Sequence, residues 1–383
     1  MPKPTTTQRA KRISVTALSS VLLAAAVSGC GLFGGDDDGA KNTSAESQSP
    51  TAAVAPPAAP ATSAPPVTSA PPSSAAPSPS ATTPDTGPGS STIVDALQNA
   101  AVTAVGNDGS ASLVALNMKN GEIVATVHRQ NGMSGNLAPG STFKIVTSAL
   151  LLSKGAVTPG TKAPCAKTLT VNGQAFKNVH DMELSNATFR EDFAKSCNNG
   201  LIAFYDKIGD KELSEFSTKY FGLNSNAWKV GADAGTTDGV VPPASSLNDR
   251  AAQMIGQSSL KMNPMTMASV VATAVTGQFH QPVLKRGQDV YTVSSKLPAS
   301  VSRDLKTMMV DCATGGGTGA EVLRGMSNVG CKTGTAEVGT TSTNAWMVAY
   351  RGDIAVAVLV EGGTSGSGAA GPIIKQFLAA VPS

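Results

Sequence analysis

The sequence predicts a mixed fold of the α/β (α+β) class: one antiparallel sheet assembled from both ends of the folded region, flanked by helices, with a helical subdomain inserted between. Three observations predict it. Runs of β-branched and alternating residues lie near Ala111–His128 and return only after Val329. The long stretch between them carries helix starts and stops instead. Strands confined to the two ends close a sheet only by pairing with one another, and each apolar sheet face then needs a helical layer.

Ile93 to Val105 reads as an amphipathic helix, followed by strands over Ala111–Asn117 and Ile123–His128. Lys119-Asn120-Gly121 between them is a hairpin turn, because Asn-Gly tolerates positive φ. Ser141 to Ser153 is helical and apolar nearly all round, the pattern of a buried helix, and Gly155 stops it. Thr188-Phe189-Arg190-Glu191 is a capping box that opens a helix leading to Ser196. Helix is expected again over Leu201–Ile208 and Glu212–Phe221, the latter ended by Gly222. Asn263-Pro264 pairs a cap residue with a first-turn proline, so a helix runs from there to about Thr276. Arg303–Cys312 is a further helix, Val329–Glu337, Ala345–Tyr350 and Ile354–Glu361 are strands, and Ala370–Val381 is a final helix.

The residues before about Ser91 are a different kind of polymer. Lys3, Arg9, Lys11 and Arg12 precede a short apolar run from Ile13 to Val27, the pattern of a secretory signal over residues 1–30. Val27-Ser28-Gly29-Cys30 resembles a lipobox, which implies cleavage before Cys30 and a lipid on its sulfur; an ordinary cleaved signal or an uncleaved anchor are the alternatives. Residues 31–90 are rich in Ala, Pro, Ser and Thr, and hold almost nothing large and apolar. Such a tract cannot offset its ordering entropy and is expected to be a disordered linker. With polyproline character it extends on the order of 100 Å, so an anchored domain would sweep a layer above the membrane.

Residues 91–383 are long enough for a substantial core. The net charge is +3, and no basic cluster interleaved with aromatics appears beyond the signal, so nucleic acid is not an expected partner. The three histidines are isolated and no Cys-x-x-Cys occurs, so neither a metal nor another cofactor is expected. Beyond Cys30 stand Cys165, Cys197, Cys312 and Cys331. An exported domain permits disulfides, and local pairing suggests Cys165–Cys197 and Cys312–Cys331; free buried thiols are the alternative.

Three short motifs carry the chemistry: Ser141-Thr142-Phe143-Lys144, Ser196-Cys197-Asn198 and Lys332-Thr333-Gly334. Ser141 and Lys144 share a helix face, and burial of the lysine lowers its pKa so that it can take the serine proton. Ser196 can relay a proton, and the Asn198 amide can both donate to and accept from a peptide backbone. Lys332, Thr333 and Thr335 offer a cation and two hydroxyls to a carboxylate, while Gly334 clears the strand edge for substrate. The backbone N–H groups of Ser141 and Thr335 form an oxyanion hole in this reading. Each motif alone is weak: Ser258-Ser259-Leu260-Lys261 repeats the first, and Ser246-Leu247-Asn248 and Ser342-Thr343-Asn344 repeat the second.

In this order the three motifs are the signature of the penicillin-recognising serine enzymes, and the chain resembles the transpeptidase domain of penicillin-binding proteins in particular. Leu137-Ala138-Pro139-Gly140, Ile255-Gly256-Gln257, Lys332 through Glu337 and Asn344-Ala345-Trp346 extend the resemblance, which runs from about Ala111 onward. It implies a β-lactamase/transpeptidase-like fold, Ser141 as acylated nucleophile, Lys144 as base, Ser196 as relay, Asn198 as substrate binder, and Lys332, Thr333, Gly334 and Thr335 at the carboxylate and oxyanion. The implied reaction is D,D-transpeptidation of peptidoglycan stem peptides, blocked covalently by β-lactams, on the outer face of a membrane held through the lipid anchor. D,D-carboxypeptidation is the close variant. A serine β-lactamase is disfavoured because Ala244 stands where that class places a water-activating Glu before Leu247-Asn248. The resemblance includes no transglycosylase or N-terminal accessory domain, which leaves protein partners undefined.

Overall fold

The computed structural model describes residues 87–231, 235–339 and 341–383. The expected signal, Cys30 and nearly all of the 31–90 linker lie outside the described residues. The chain is tied to the fold from Gly89, whose N–H donates to Arg286 O at 2.7 Å.

From there α1 (Asp95–Val105) precedes the hairpin of β1 (Ala111–Asn117) and β2 (Ile123–Val127), followed by α2 (Arg129–Ser134) and α3 (Lys144–Ser153). A second hairpin, β3 (Thr168–Val171) and β4 (Gln174–Lys177), leads into α4 (Phe189–Lys195), α5 (Asn199–Ile202), α6 (Glu212–Phe221), α7 (Leu247–Met254), α8 (Pro264–Thr276) and α9 (Ala299–Ala313). Then come β5 (Val329–Val338), β6 (Ser342–Arg351), β7 (Ile354–Val360) and α10 (Gly371–Ala379).

The main sheet has the order β2-β1-β7-β6-β5 and every pairing is antiparallel. β1 lies beside β7, with Leu113 opposite Val358, so the two ends of the folded region close the sheet as their patterns predict. Side chains alternate across a strand. In β7, Ala355, Ala357 and Leu359 therefore pack into one cluster with α3, α8 and α9, while Val356, Val358 and Val360 pack into a second with α1 and α10. Burial on both faces explains why β7 reads as one continuous apolar run.

The expected caps are present. Thr188 and Glu191 make a reciprocal capping box at α4, and Asn263 and Thr266 make another at α8. Other expectations need correction. The helix expected from Ser141 begins as a 3-10 turn over Gly140–Phe143, and α-helix starts only at Lys144. Helix over Leu201–Ile208 is broken, with α5 ending at Ile202 and a 3-10 turn following at Tyr205–Lys207. The β3–β4 hairpin, α2 and α7 were not expected; Asn172-Gly173 between β3 and β4 carries the same turn signal used at Asn120-Gly121.

Candidate active site

The turn that presents Ser141 is packed against the edge strand β5. Gly140 adopts φ +52°, and a Cβ there would sit 2.5 Å from the Thr335 carbonyl oxygen. Its N–H donates to Gly256 O at 3.0 Å, and a Cβ on Gly256 would come within 1.8 Å of Gly140 O. Such separations are possible only because these positions carry no side chain. Gly334 takes part in the same packing: its missing Cβ would meet Thr142 N at 3.0 Å and Pro139 O at 3.1 Å. The space left by Gly334 thus admits the serine turn, and Gly334 also lines the cavity beside it.

Lys144 opens α3 and is 0% exposed. Its Nζ donates to Ser196 O at 2.8 Å, Cys197 O at 3.0 Å and Asn198 Oδ1 at 2.7 Å. The second motif wraps around the amine because Ser196, the C-cap of α4, sits in the left-handed region at φ 62° and ψ 30°. A non-glycine residue pays about 1–2 kcal/mol to stand there, and the turn it makes aims two carbonyls at Lys144 while its hydroxyl points elsewhere. That hydroxyl accepts from Lys332 Nζ at 2.8 Å. Lys332 is also 0% exposed, and a second donation, to Thr333 O at 2.9 Å, holds it beneath the strand.

The electrostatics follow from this burial. Desolvation, reinforced by the nearby Lys332 charge and opposed by Asp192, holds the Lys144 amine well below the ordinary lysine range. Desolvation brings Lys332 down to about 8, against the pull of Cys312 and Cys331. Lys144 is therefore biased toward the neutral form, which is the form a base needs.

A cavity of about 620 Å³ opens above this layer, and Ser141, Ser196, Asn198, Thr333, Gly334 and Thr335 all line it. Lys144 and Lys332 do not reach its wall; they lie under it. The Lys332 ammonium donates to Ser196 and Thr333, and Thr333 and Thr335 line the cavity above it. The Thr333 hydroxyl donates to Thr318 Oγ1 at 2.6 Å.

A profile of the penicillin binding protein transpeptidase domain matches residues 111–379, more than half of the chain. The chain belongs to the penicillin-binding protein transpeptidase family. Among its relatives is the peptidoglycan D,D-transpeptidase PbpA of Mycolicibacterium smegmatis, 29% identical over 277 residues, covering 65% of this chain and 55% of the relative. The chain thus spans little more than half the length of that relative. The transpeptidase domain of Burkholderia pseudomallei penicillin-binding protein 3 superposes with a TM-score of 0.66 at 22% identity, covering 76% of this chain and 94% of the other. The imipenem acyl-enzyme complex of penicillin-binding protein A from M. tuberculosis gives a TM-score of 0.64 at 25% identity, covering 76% and 79%. The antiparallel sheet with flanking helices is the fold of this family.

Within the family's fold, the copies of each motif separate cleanly. Ser258 is spent on Asp249 Oδ1 at 2.6 Å, Ser246 is the N-cap of α7, and Asn344 accepts from Gly362 N at 3.1 Å. None of them lines the cavity. Two contributors had no signal in the sequence. Asn178 is buried, and its Oδ1 accepts from the backbone N–H of both Asn198 and Asn199 at 3.0 Å. Its Nδ2 donates to Ala166 O at 2.8 Å and Met182 O at 2.7 Å, which pins the second motif to the β4 flank. Thr318, remote in sequence from every motif, lines the cavity beside Thr333.

Cys165 and Cys197 form a disulfide, which braces the same loop. The other expected bridge is absent: Cys312 and Cys331 are buried thiols, with sulfurs 2.7 Å apart. α9 and β5 bring them side by side, but at a separation longer than the roughly 2 Å of an S–S bond. Desolvation raises the Cys312 thiol, but hydrogen bonding from Cys331 and the Lys332 charge outweigh it and bring it to about 6. Burial pushes Cys331 the other way.

Proposed function

We propose that this chain is a serine D,D-transpeptidase that acts on peptidoglycan stem peptides and is acylated covalently by penicillins. The observation that carries the reading is the convergence of three distant motifs on one cavity, with two fully buried lysines beneath it. PbpA of M. smegmatis, named a peptidoglycan D,D-transpeptidase, and the imipenem acyl-enzyme of the M. tuberculosis protein support the same reading.

In this mechanism Ser141 Oγ attacks the carbonyl between the two terminal D-Ala residues, and its proton passes to Lys144. As an ammonium, Lys144 uses all three N–H groups on Ser196 O, Cys197 O and Asn198 Oδ1. As a neutral amine it has two donors and a lone pair, so one acceptor is released and the lone pair becomes available to the Ser141 proton. Ser196 Oγ, paired with Lys332, then gives its proton to the leaving nitrogen as the C–N bond breaks and takes the proton held by Lys144 in return. Asn198 orients the peptide, Thr333 and Thr335 hold the terminal carboxylate, and the N–H groups of Ser141 and Thr335 stabilise the oxyanion. An amine from a neighbouring stem peptide resolves the acyl-enzyme. We further propose that residues 1–30 are a lipoprotein signal, that Cys30 carries the lipid, and that residues 31–90 tether the domain outside the membrane.

The test is labelling of the full chain with a fluorescent penicillin, alongside Ser141→Ala. Stable label lost in the variant supports the reading. Label that disappears within seconds makes the protein a β-lactamase, and Glu337, a carboxylate on the cavity wall, is then the residue to examine for water activation. Release of D-Ala from a stem pentapeptide, with and without an acceptor amine, separates transfer from hydrolysis.

A further inference from the structure

Asp192 is a carboxylate to which the three motifs assign no task. It lies on α4, one turn before Ser196, and is 0% exposed. Neither of its side-chain oxygens has a hydrogen-bond partner, and among the described residues it forms no ion pair. Buried polar groups are almost always bonded, and an unpaired buried carboxylate is costly, so its presence calls for a physical reason.

The surroundings define one. A carboxylate oxygen of Asp192 and the sulfurs of Cys165 and Cys197 lie within 4.8 Å of one another. On the other side a Cβ at Gly200 would stand 1.8 Å from Asp192 Oδ2, so the absence of a side chain at 200 is what makes room for the carboxylate. The backbone carbonyl of Asp192 accepts from Cys197 N at 2.8 Å, which fixes the residue directly behind the loop that encloses the Lys144 amine.

We propose that Asp192 is a positioning residue whose carboxylate balances the charge that Lys144 acquires when it takes the Ser141 proton. The inference rests on the acylation chemistry proposed above. In that step the Ser141 O–H bond breaks, its proton binds Lys144 Nζ, and Oγ bonds to the substrate carbonyl carbon. The cation so formed is fully buried and already close to Lys332 on β5. Asp192 on α4 is the counter-charge; Glu191, the other charge acting on Asp192, is its exposed neighbour on the same helix. When Ser196 delivers the proton to the leaving nitrogen, Lys144 returns to neutral, and Asp192 has exchanged no bond. Burial pushes the Asp192 carboxyl up to about 7, while Lys144 pulls it down, so a proton entering or leaving the pair is felt by both groups. Asp192 in turn raises Lys144 against the larger effect of burial.

The experiment is the pH profile of the second-order acylation rate of the full chain with a penicillin, for wild type, Asp192→Asn and Asp192→Ala. Removing the carboxylate weakens Lys144 as a proton acceptor. The acid limb is expected to move to lower pH by about one unit, with a several-fold lower plateau, so that the variants lose least, relative to wild type, at acid pH. A limb left in place, with the same fold-loss at every pH, overturns the inference and makes Asp192 a packing residue. In the wild-type chain, a carboxylic-acid C=O infrared band that titrates near neutral pH and moves on acylation of Ser141 is expected, and this readout does not depend on either variant folding. A spectrum in which neither a carboxyl nor a carboxylate band changes on acylation removes Asp192 from the charge balance. Failure of wild type to label at any pH sinks the proposed acylation chemistry instead.

Discussion

Replacing Gly256 by alanine tests how the structure holds its nucleophile. Gly256 stands at φ +80°, and an added Cβ would lie 1.8 Å from Gly140 O, 2.5 Å from Gly140 C and 3.0 Å from Gly140 Cα. Two costs add. The left-handed backbone charges a side chain about 1–2 kcal/mol, and overpacking against backbone charges about 1–3 kcal/mol. The expected loss of about 2–5 kcal/mol leaves a domain of ordinary stability folded. The contact yields only if the Gly140 peptide retreats by about 1 Å, and Gly140 is bonded to Ser141 and packed on Thr335. A misplacement of about 1 Å at a reacting group costs on the order of 100-fold in rate. Urea unfolding should therefore show the stability loss, and the acylation rate with a penicillin should fall about 100-fold in the folded variant. A Gly256→Ala protein that acylates within about threefold of wild type would refute the claim that this contact sets the position of Ser141.

Other perturbations reach the same site by different routes. Lys332→Met removes the cation that helps to depress Lys144, so the acid limb of the acylation profile should move to higher pH, opposite in sign to the shift expected for Asp192→Asn; an unmoved limb would show that Lys332 acts on Ser196 alone. Asn178→Ala strands the backbone N–H groups of Asn198 and Asn199, and should cost about 2–4 kcal/mol in urea unfolding together with most of the acylation rate; a loss under about 0.5 kcal/mol would mean that water replaces the amide. Reduction of Cys165–Cys197, which closes a separation of 32 residues, should cost about 3–4 kcal/mol in the chain-entropy view and lower the Tm on the order of 5–10 °C. An unchanged Tm after reduction would show that the loop is held by Asn178 and not by the bridge.

Local chemistry made much of the architecture legible. Thr188–Glu191 and Asn263–Pro264 announce their helices because a cap is satisfied within one turn, and the runs of β5, β6 and β7 announce strands because both faces of each are buried. The break after Ile202 and the 3-10 turn at Ser141 were not legible, since each is imposed by packing against residues far away in the chain.

The sequence by itself determined which groups are available: a serine with a lysine three residues on, a Ser-x-Asn, a Lys-Thr-Gly edge, and a strand pattern that forces the two ends of the domain together. No single motif ranks Ser141 above Ser258, or Asn198 above Asn248 and Asn344; the order of the three motifs and the resemblance of their flanks do. Only the tertiary structure brings the chosen copies onto one cavity. Lys144 meets the Ser196–Asn198 loop across a separation of 52 to 54 residues, and Lys332 meets Ser196 across 136. It also buried Lys332 beneath its strand, packed the serine turn against Gly334, left Cys312 and Cys331 as thiols, and put Asp192 behind the Cys197 loop. Capping and alternation act over a few residues and are written locally. Burial, close approach and pKa are sums over neighbours that only the folded chain assembles.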